Sequence, residues 1–81
     1  LTYEVQWSDE ALASAMHFLV DDRDGLLQVF AAVDLLAHDP RPVDAFAWGG
    51  GRFRLRVGRY RVLYEITDLA VTIEVIHLGR S

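Results

Sequence analysis

Apolar positions along the chain recur first at every second residue, then at every third or fourth, then again at every second. Tyr3, Val5 and Trp7 alternate with Glu4 and Gln6, the pattern of a short strand with one buried face. Ser8 breaks the alternation and supplies a helix N-cap. Asp9 and Glu10 follow in a first turn where the helix dipole favours anions, and Leu12, Ala15, Met16 and Leu19 continue at helical spacing. This spacing predicts a helix from about Asp9 to Asp22. After the polar run Asp21-Asp22-Arg23-Asp24-Gly25, residues Leu26, Val29, Phe30, Val33 and Leu36 or Ala37 mark a second amphipathic helix ending near His38. Asp39-Pro40-Arg41-Pro42 stops it, because proline lacks an amide donor and biases the preceding residue away from helix. The two helices, joined by a short link, form a hairpin. Residues 43–51, closing on Trp48-Gly49-Gly50-Gly51, carry no period and read as a connecting loop.

The last third returns to alternation. Arg52-Phe53-Arg54-Leu55-Arg56-Val57 alternates strictly, Gly58-Arg59 suits a two-residue hairpin turn, and Tyr60 to Ile66 resumes as a strand. Thr67-Asp68-Leu69-Ala70 turns once more, and the β-branched run from Val71 to Leu78 makes the third strand of this meander. The order β-α-α-β-β-β predicts a single α+β domain over residues 1–81, with the helical hairpin packed on one face of an antiparallel sheet. A chain this short has a thin core, so a partner or a second copy adds stability.

The proposed turn sets the register of the hairpin. Val57 meets Tyr60, Leu55 meets Val62 and Phe53 meets Tyr64 on the core face, while Arg56 faces Arg61, Arg54 faces Leu63 and Arg52 faces Glu65 on the other. Like charges directly opposite each other are destabilising, so an Arg56/Arg61 pair makes sense with an anion between them. Parity carried into the last strand puts Thr72, Glu74, Ile76, Leu78 and Arg80 on the arginine face and Val71, Ile73, Val75 and His77 toward the helices. The competing reading is a solvated strand face with Glu65 and Glu74 as internal partners. Histidine is the side chain whose ordinary pKa lies nearest neutrality, which makes His77 an acid-base candidate, although its parity points to a hydrogen-bonded place in the core. His17, His38 and His77 lack metal-ligand spacing, and Gly49-Gly50-Gly51 lacks the Lys-Ser/Thr and the helix of a phosphate-cradling loop.

Charge sharpens this picture. All eight cationic side chains are arginine, and against twelve acids they leave a net charge of −4. Residues 1–48 hold nine acids against Arg23 and Arg41, whereas residues 49–81 hold six arginines against three acids. A net acidic chain is a poor general nucleic-acid binder, yet it can carry one basic face. Without cysteine there is no disulfide framework or thiolate metal site. No apolar run approaches the ~18 residues of a membrane span, and Leu1-Thr2-Tyr3-Glu4-Val5 lacks the basic start of a signal peptide. The expectation is a cytoplasmic protein with no membrane partner and no cofactor.

Taken in order, Trp7-Ser8, Asp39-Pro40-Arg41-Pro42, the segment Arg54 to Ile66 with its Tyr-Arg-Val-Leu-Tyr stretch, and Val75-Ile76-His77-Leu78-Gly79-Arg80 resemble the RelE/ParE toxin family. The likeness spans nearly the whole chain, and the arginine-rich hairpin is its most specific part. It implies a RelE-like fold and the toxin half of a bacterial type II toxin-antitoxin pair, forming a hetero-oligomer with an antitoxin encoded beside it. In the RelE branch it further implies a ribosome-dependent mRNA endoribonuclease that uses no metal. There the 2′-hydroxyl attacks the adjacent phosphate and guanidinium groups stabilise the charge that develops.

Carried over by position, Arg61 and Arg56 match phosphate-contacting sites, and Arg80 is expected to join them as a catalytic residue. Arg52 and Arg54 match flanking substrate-binding positions; His77 matches no family position and stands only on its own chemistry as an acid-base candidate. Two departures stand out. Many nuclease members continue past this glycine with further basic residues and a tyrosine or histidine that serves in acid-base chemistry, whereas this sequence reads Gly79-Arg80-Ser81 and shows no obvious general base, and ribosome-acting members tend to be basic. A ParE-like inhibitor of DNA gyrase and a catalytically weak antitoxin-binding module are the alternatives. Met16, Phe18 and Val20 are expected to offer apolar surface to a helical antitoxin segment, with Leu12, Ala15 and Leu19 forming the core stripe.

Overall fold

In the computed structural model, which describes residues 1–81, Ser8 links β1 (Glu4–Trp7) to α1 (Asp9–Asp21). Its hydroxyl accepts the Ala11 N–H at 3.1 Å, capping the helix, and donates to the Ile76 carbonyl at 2.9 Å, tying the helix start to the far end of the chain. Helix α2 (Arg23–Leu36) begins only one residue after α1 ends. The predicted break is Asp22 alone. Its N–H donates to the Phe18 carbonyl, while its carboxylate accepts the Gly25 N–H and the Tyr60 hydroxyl, the latter at 2.8 Å. The Tyr60 bond, with the Gly25 amide, holds the Asp22 carboxyl below the usual carboxylate range. A Cβ on Gly25 would collide with that carboxylate, which accounts for a glycine inside a helix.

The sheet is larger than the alternation predicts. Strands β2 (Phe46–Gly49), β3 (Arg52–Val57), β4 (Tyr60–Thr67) and β5 (Thr72–Arg80) join β1 in the order β1-β5-β4-β3-β2. The stretch read as a connecting loop therefore contains an edge strand, with Phe46 opposite Arg54 and Ala47 opposite Phe53. Every residue of β2 is exposed, so it has no buried face to impose a period of two. The β3–β4 hairpin has the predicted register throughout. The expected all-antiparallel sheet is instead mixed. After two helices the chain returns so that β1 lies parallel to β5 at the sheet edge, with Val5 beside Ile73 and Trp7 beside Val75.

Both helices cover one face. Ala11 and Ala15 of α1 and Leu26, Val29, Val33 and Leu36 of α2 are buried against Leu55, Tyr60, Val62, Tyr64, Ile66, Ile73, Val75 and Leu78. The predicted stripe on α1 holds at Ala15, which is buried, and at Leu19, which packs against the core, but not at Leu12. Leu12 is 47% exposed and Ala11 takes the buried place, because small side chains let the helix lie close on β5. Met16 and Val20 are exposed as expected, but Phe18 packs on Tyr60 with ring centroids 5.5 Å apart. No helix is long and apolar enough to cross a membrane.

Tyr64 couples the core to alkaline stability. Its hydroxyl donates to the Pro40 carbonyl at 2.8 Å, and burial pushes its pKa from 10.0 up to about 12. A raised folded-state pKa means that its stabilisation is complete below pH 10 and is lost as pH rises toward 12. Tyrosinate absorbance and circular dichroism followed through that window should change together, and Tyr64→Phe should flatten the loss. Ionisation of Tyr64 with no loss of structure would contradict this.

Candidate functional site

On the face opposite the helices, β3 presents Arg52, Arg54 and Arg56, and β4 presents Arg61, Leu63 and Glu65 in direct register with them. Ion pairing sorts the arginines into two groups. Arg52 bonds Glu65 at 3.3 Å, Arg41 bonds Asp68 at 2.8 Å and Arg80 bonds Asp21, whereas Arg54, Arg56 and Arg61 form no ion pair. Arg56 Nε donates to the Gly58 carbonyl at 3.2 Å, and the Arg54 guanidinium lies 5.2 Å from the Phe46 ring centroid. Three exposed guanidiniums without carboxylate partners, two of them directly opposed, leave positive charge that an anion can neutralise.

A β-bulge decides what joins them. Leu63 pairs with His77 but Tyr64 pairs with Val75, leaving Ile76 as an extra residue in β5. Ile73 and Val75 face the helices before the bulge, and Leu78 does so after it. The predicted parity therefore holds for Thr72 to Val75 and inverts beyond Ile76. His77, expected in the core, is exposed on the arginine face. Arg80, expected on that face, sits opposite Tyr60 and turns to the helix side, its guanidinium 4.7 Å from the Phe18 ring centroid. Leu78 likewise moves into the core.

His77 is held from one side and open on the other. Its Nδ1 lies 3.1 Å from Glu10 Oε2. A Cβ placed on Gly79 would lie 3.3 Å from His77 Nε2 and 3.8 Å from an Arg61 terminal nitrogen, so the absent side chain lets the imidazole and the guanidinium close in over the backbone there. His77, Arg61, Arg54, Leu63 and Trp48 line a depression of about 280 Å³. A second hollow of about 170 Å³ continues past Arg54 and Arg61 to Arg56 and Phe46, with Asp44 at its edge. Trp48, 56% exposed, offers a flat surface of the kind on which nucleobases stack. A larger depression of about 330 Å³ beside the C-terminal half of α2 contains no arginine.

No protein-family model matches the sequence, and no curated protein matches it. Solved structures do. A chain of the archaeal RelE-RelB complex from Pyrococcus horikoshii OT3 superposes with a TM-score of 0.82 at 20% identity, over 99% of this chain and 96% of that one. A chain of the RelBE2 toxin-antitoxin complex from Mycobacterium tuberculosis gives 0.82 at 25% identity, over 100% and 93%. The isolated RelE toxin of E. coli gives 0.81 at 20% identity, over 98% and 84%. The chain has the RelE/ParE fold.

Within this RelE/ParE sheet, the side chains brought together are Arg54, Arg56, Arg61 and His77. Arg52 is neutralised at the margin and Arg80 lies on the other side. Arg54 and Arg61, in one depression, can hold a phosphate by charge-assisted hydrogen bonds, and the His77 imidazole that lines it with them can take a proton. No three His, Cys, Asp or Glu side chains gather as a metal site. Glu10 and Trp48 are functional candidates that the sequence pattern does not single out. Glu10 reads there as a first-turn helix anion and Trp48 as part of a loop.

Proposed function

We propose that the protein is the toxin of a toxin-antitoxin pair and an endoribonuclease acting on ribosome-bound mRNA, restrained by a cognate antitoxin. The observation that carries this reading is the depression lined by His77, Arg61 and Arg54, with His77 Nε2 and an Arg61 terminal nitrogen both close above Gly79. Phosphodiester cleavage by an internal nucleophile needs a base for the 2′-hydroxyl and positive charge for the phosphate oxygens. His77 Nε2 takes the 2′-hydroxyl proton as the 2′-oxygen bonds to phosphorus. Arg61 and Arg54 stabilise the added negative charge, and Arg56 binds the flanking backbone. The bond from phosphorus to the 5′-oxygen breaks, that oxygen takes a proton from solvent, and a 2′,3′-cyclic phosphate remains. Trp48 stacks a neighbouring base. The exposed Leu12, Met16 and Val20 of α1 form the apolar surface for the antitoxin.

Purified protein added to a cell-free translation reaction should cut the translated mRNA at codon-related positions, mapped by primer extension, and leave an untranslated copy whole. Intact mRNA together with a loss of DNA supercoiling by gyrase would replace this reading with the ParE-like one. Absence of both effects would leave antitoxin binding as the function.

A further inference from the structure

We infer that Glu10 is a positioning residue that fixes the tautomer of His77, keeping the proton on Nδ1 and the lone pair on Nε2, the nitrogen that lies with Arg61 above Gly79. As a catalytic role this rests on the nuclease reading; as a statement about His77 it stands on geometry. A carboxylate can only accept, so its 3.1 Å contact with Nδ1 places a hydrogen on that nitrogen, and in the neutral ring Nε2 is then left as an acceptor. A histidine side chain free in water favours the opposite tautomer, with hydrogen on Nε2, and that nitrogen then cannot take a proton from a 2′-hydroxyl. Glu10 thereby converts an ordinary surface histidine into one that presents its base outward.

The backbone places the two residues together through one anchor. Ser8 donates its N–H to the Val75 carbonyl and its hydroxyl to the Ile76 carbonyl, both at 2.9 Å. Glu10 stands two residues after Ser8, and His77 directly follows Ile76. The bulge that brings His77 to the arginine face is thus fastened to the turn of helix that carries Glu10. Both side chains are open to water, at 53% and 72% exposure, so the pair biases the ring rather than locking it.

Two-bond and three-bond 15N–1H correlation spectra report which ring nitrogen carries hydrogen. Recorded where the imidazole is neutral, they should show the Nδ1–H form of His77 in the native protein and the Nε2–H form in Glu10→Ala. Glu10→Gln, which keeps an accepting oxygen but no charge, should retain much of the Nδ1–H form. If Glu10 served only the helix dipole, Gln and Ala would behave alike. In the cleavage assay Glu10→Ala should lower kcat about tenfold with KM unchanged, less than the ~10²–10⁴ that a general base contributes, because the pair is exposed. A native Nε2–H form, or a tautomer indifferent to Glu10→Ala, overturns the inference. If the tautomer follows Glu10 but native protein cuts no mRNA, the nuclease reading falls and the assignment of Glu10 to His77 holds.

Discussion

Arg61→Ala should lower mRNA cleavage by about 10²–10³-fold, the usual cost of removing a preorganised group aimed at developing charge, and should abolish growth arrest. The fold should survive intact. Arg61 forms no ion pair, so its removal strands no partner, and it relieves the like-charge opposition with Arg56. Thermal unfolding should therefore stay within about 0.5 kcal/mol of the native protein. Arg61→Lys should recover only part of the activity, because an ammonium is a point charge that cannot grip two phosphate oxygens with a planar fork. Antitoxin binding, placed on the helix side, should persist in both variants. Full toxicity in Arg61→Ala would remove the arginine face from the mechanism.

The second large effect is on stability. Ile73 is completely buried, with Val5 of β1 and Ile66 of β4 as its lateral partners under the helices. Ile73→Ala should cost about 2–5 kcal/mol through lost burial and the cavity left behind. A chain of 81 residues holds roughly 4–12 kcal/mol in all, so the loss is a large share of the whole. At about 4–8 °C per kcal/mol the melting temperature should fall by about 8 °C or more. Leu12→Ala is the paired control. The helical period assigns Leu12 to the core, but the structure leaves it half in water, so its truncation should change stability by less than about 1 kcal/mol. Equal losses for the two variants would mean that α1 is rotated from the position described.

These contrasts show where sequence reading succeeds and where it stops. The hairpin was legible because its turn is local. Gly58 adopts a φ of +60°, which a two-residue turn demands, and every pair from Val57–Tyr60 to Arg52–Glu65 follows from that position. The bulge was not legible. Ile76 and Leu78 are both apolar, so nothing in Val75-Ile76-His77-Leu78 marks an extra residue, and one such residue exchanges the faces of His77 and Arg80. Strand β2 was hidden for a different reason: an exposed edge next to three glycines owes its pairing to β3 rather than to a buried face. Glu10 could not be recognised before the start of α1 was known to rest on β5, a contact between opposite ends of the chain.

The same junction of ends orders the birth of the protein. Pairing of Glu4–Trp7 with Thr72–Val75 joins segments far apart in sequence, and such contacts carry a high entropic cost and form late. During synthesis the helices and the β3–β4 hairpin can form from local contacts, but β1 must wait, with Trp7 uncovered, until β5 has emerged. The arginines of β3 and β4 are therefore displayed on an incomplete sheet before His77 meets Glu10. A nascent chain can thus carry its charged surface before the imidazole is oriented, so the two parts of the candidate site are completed in order.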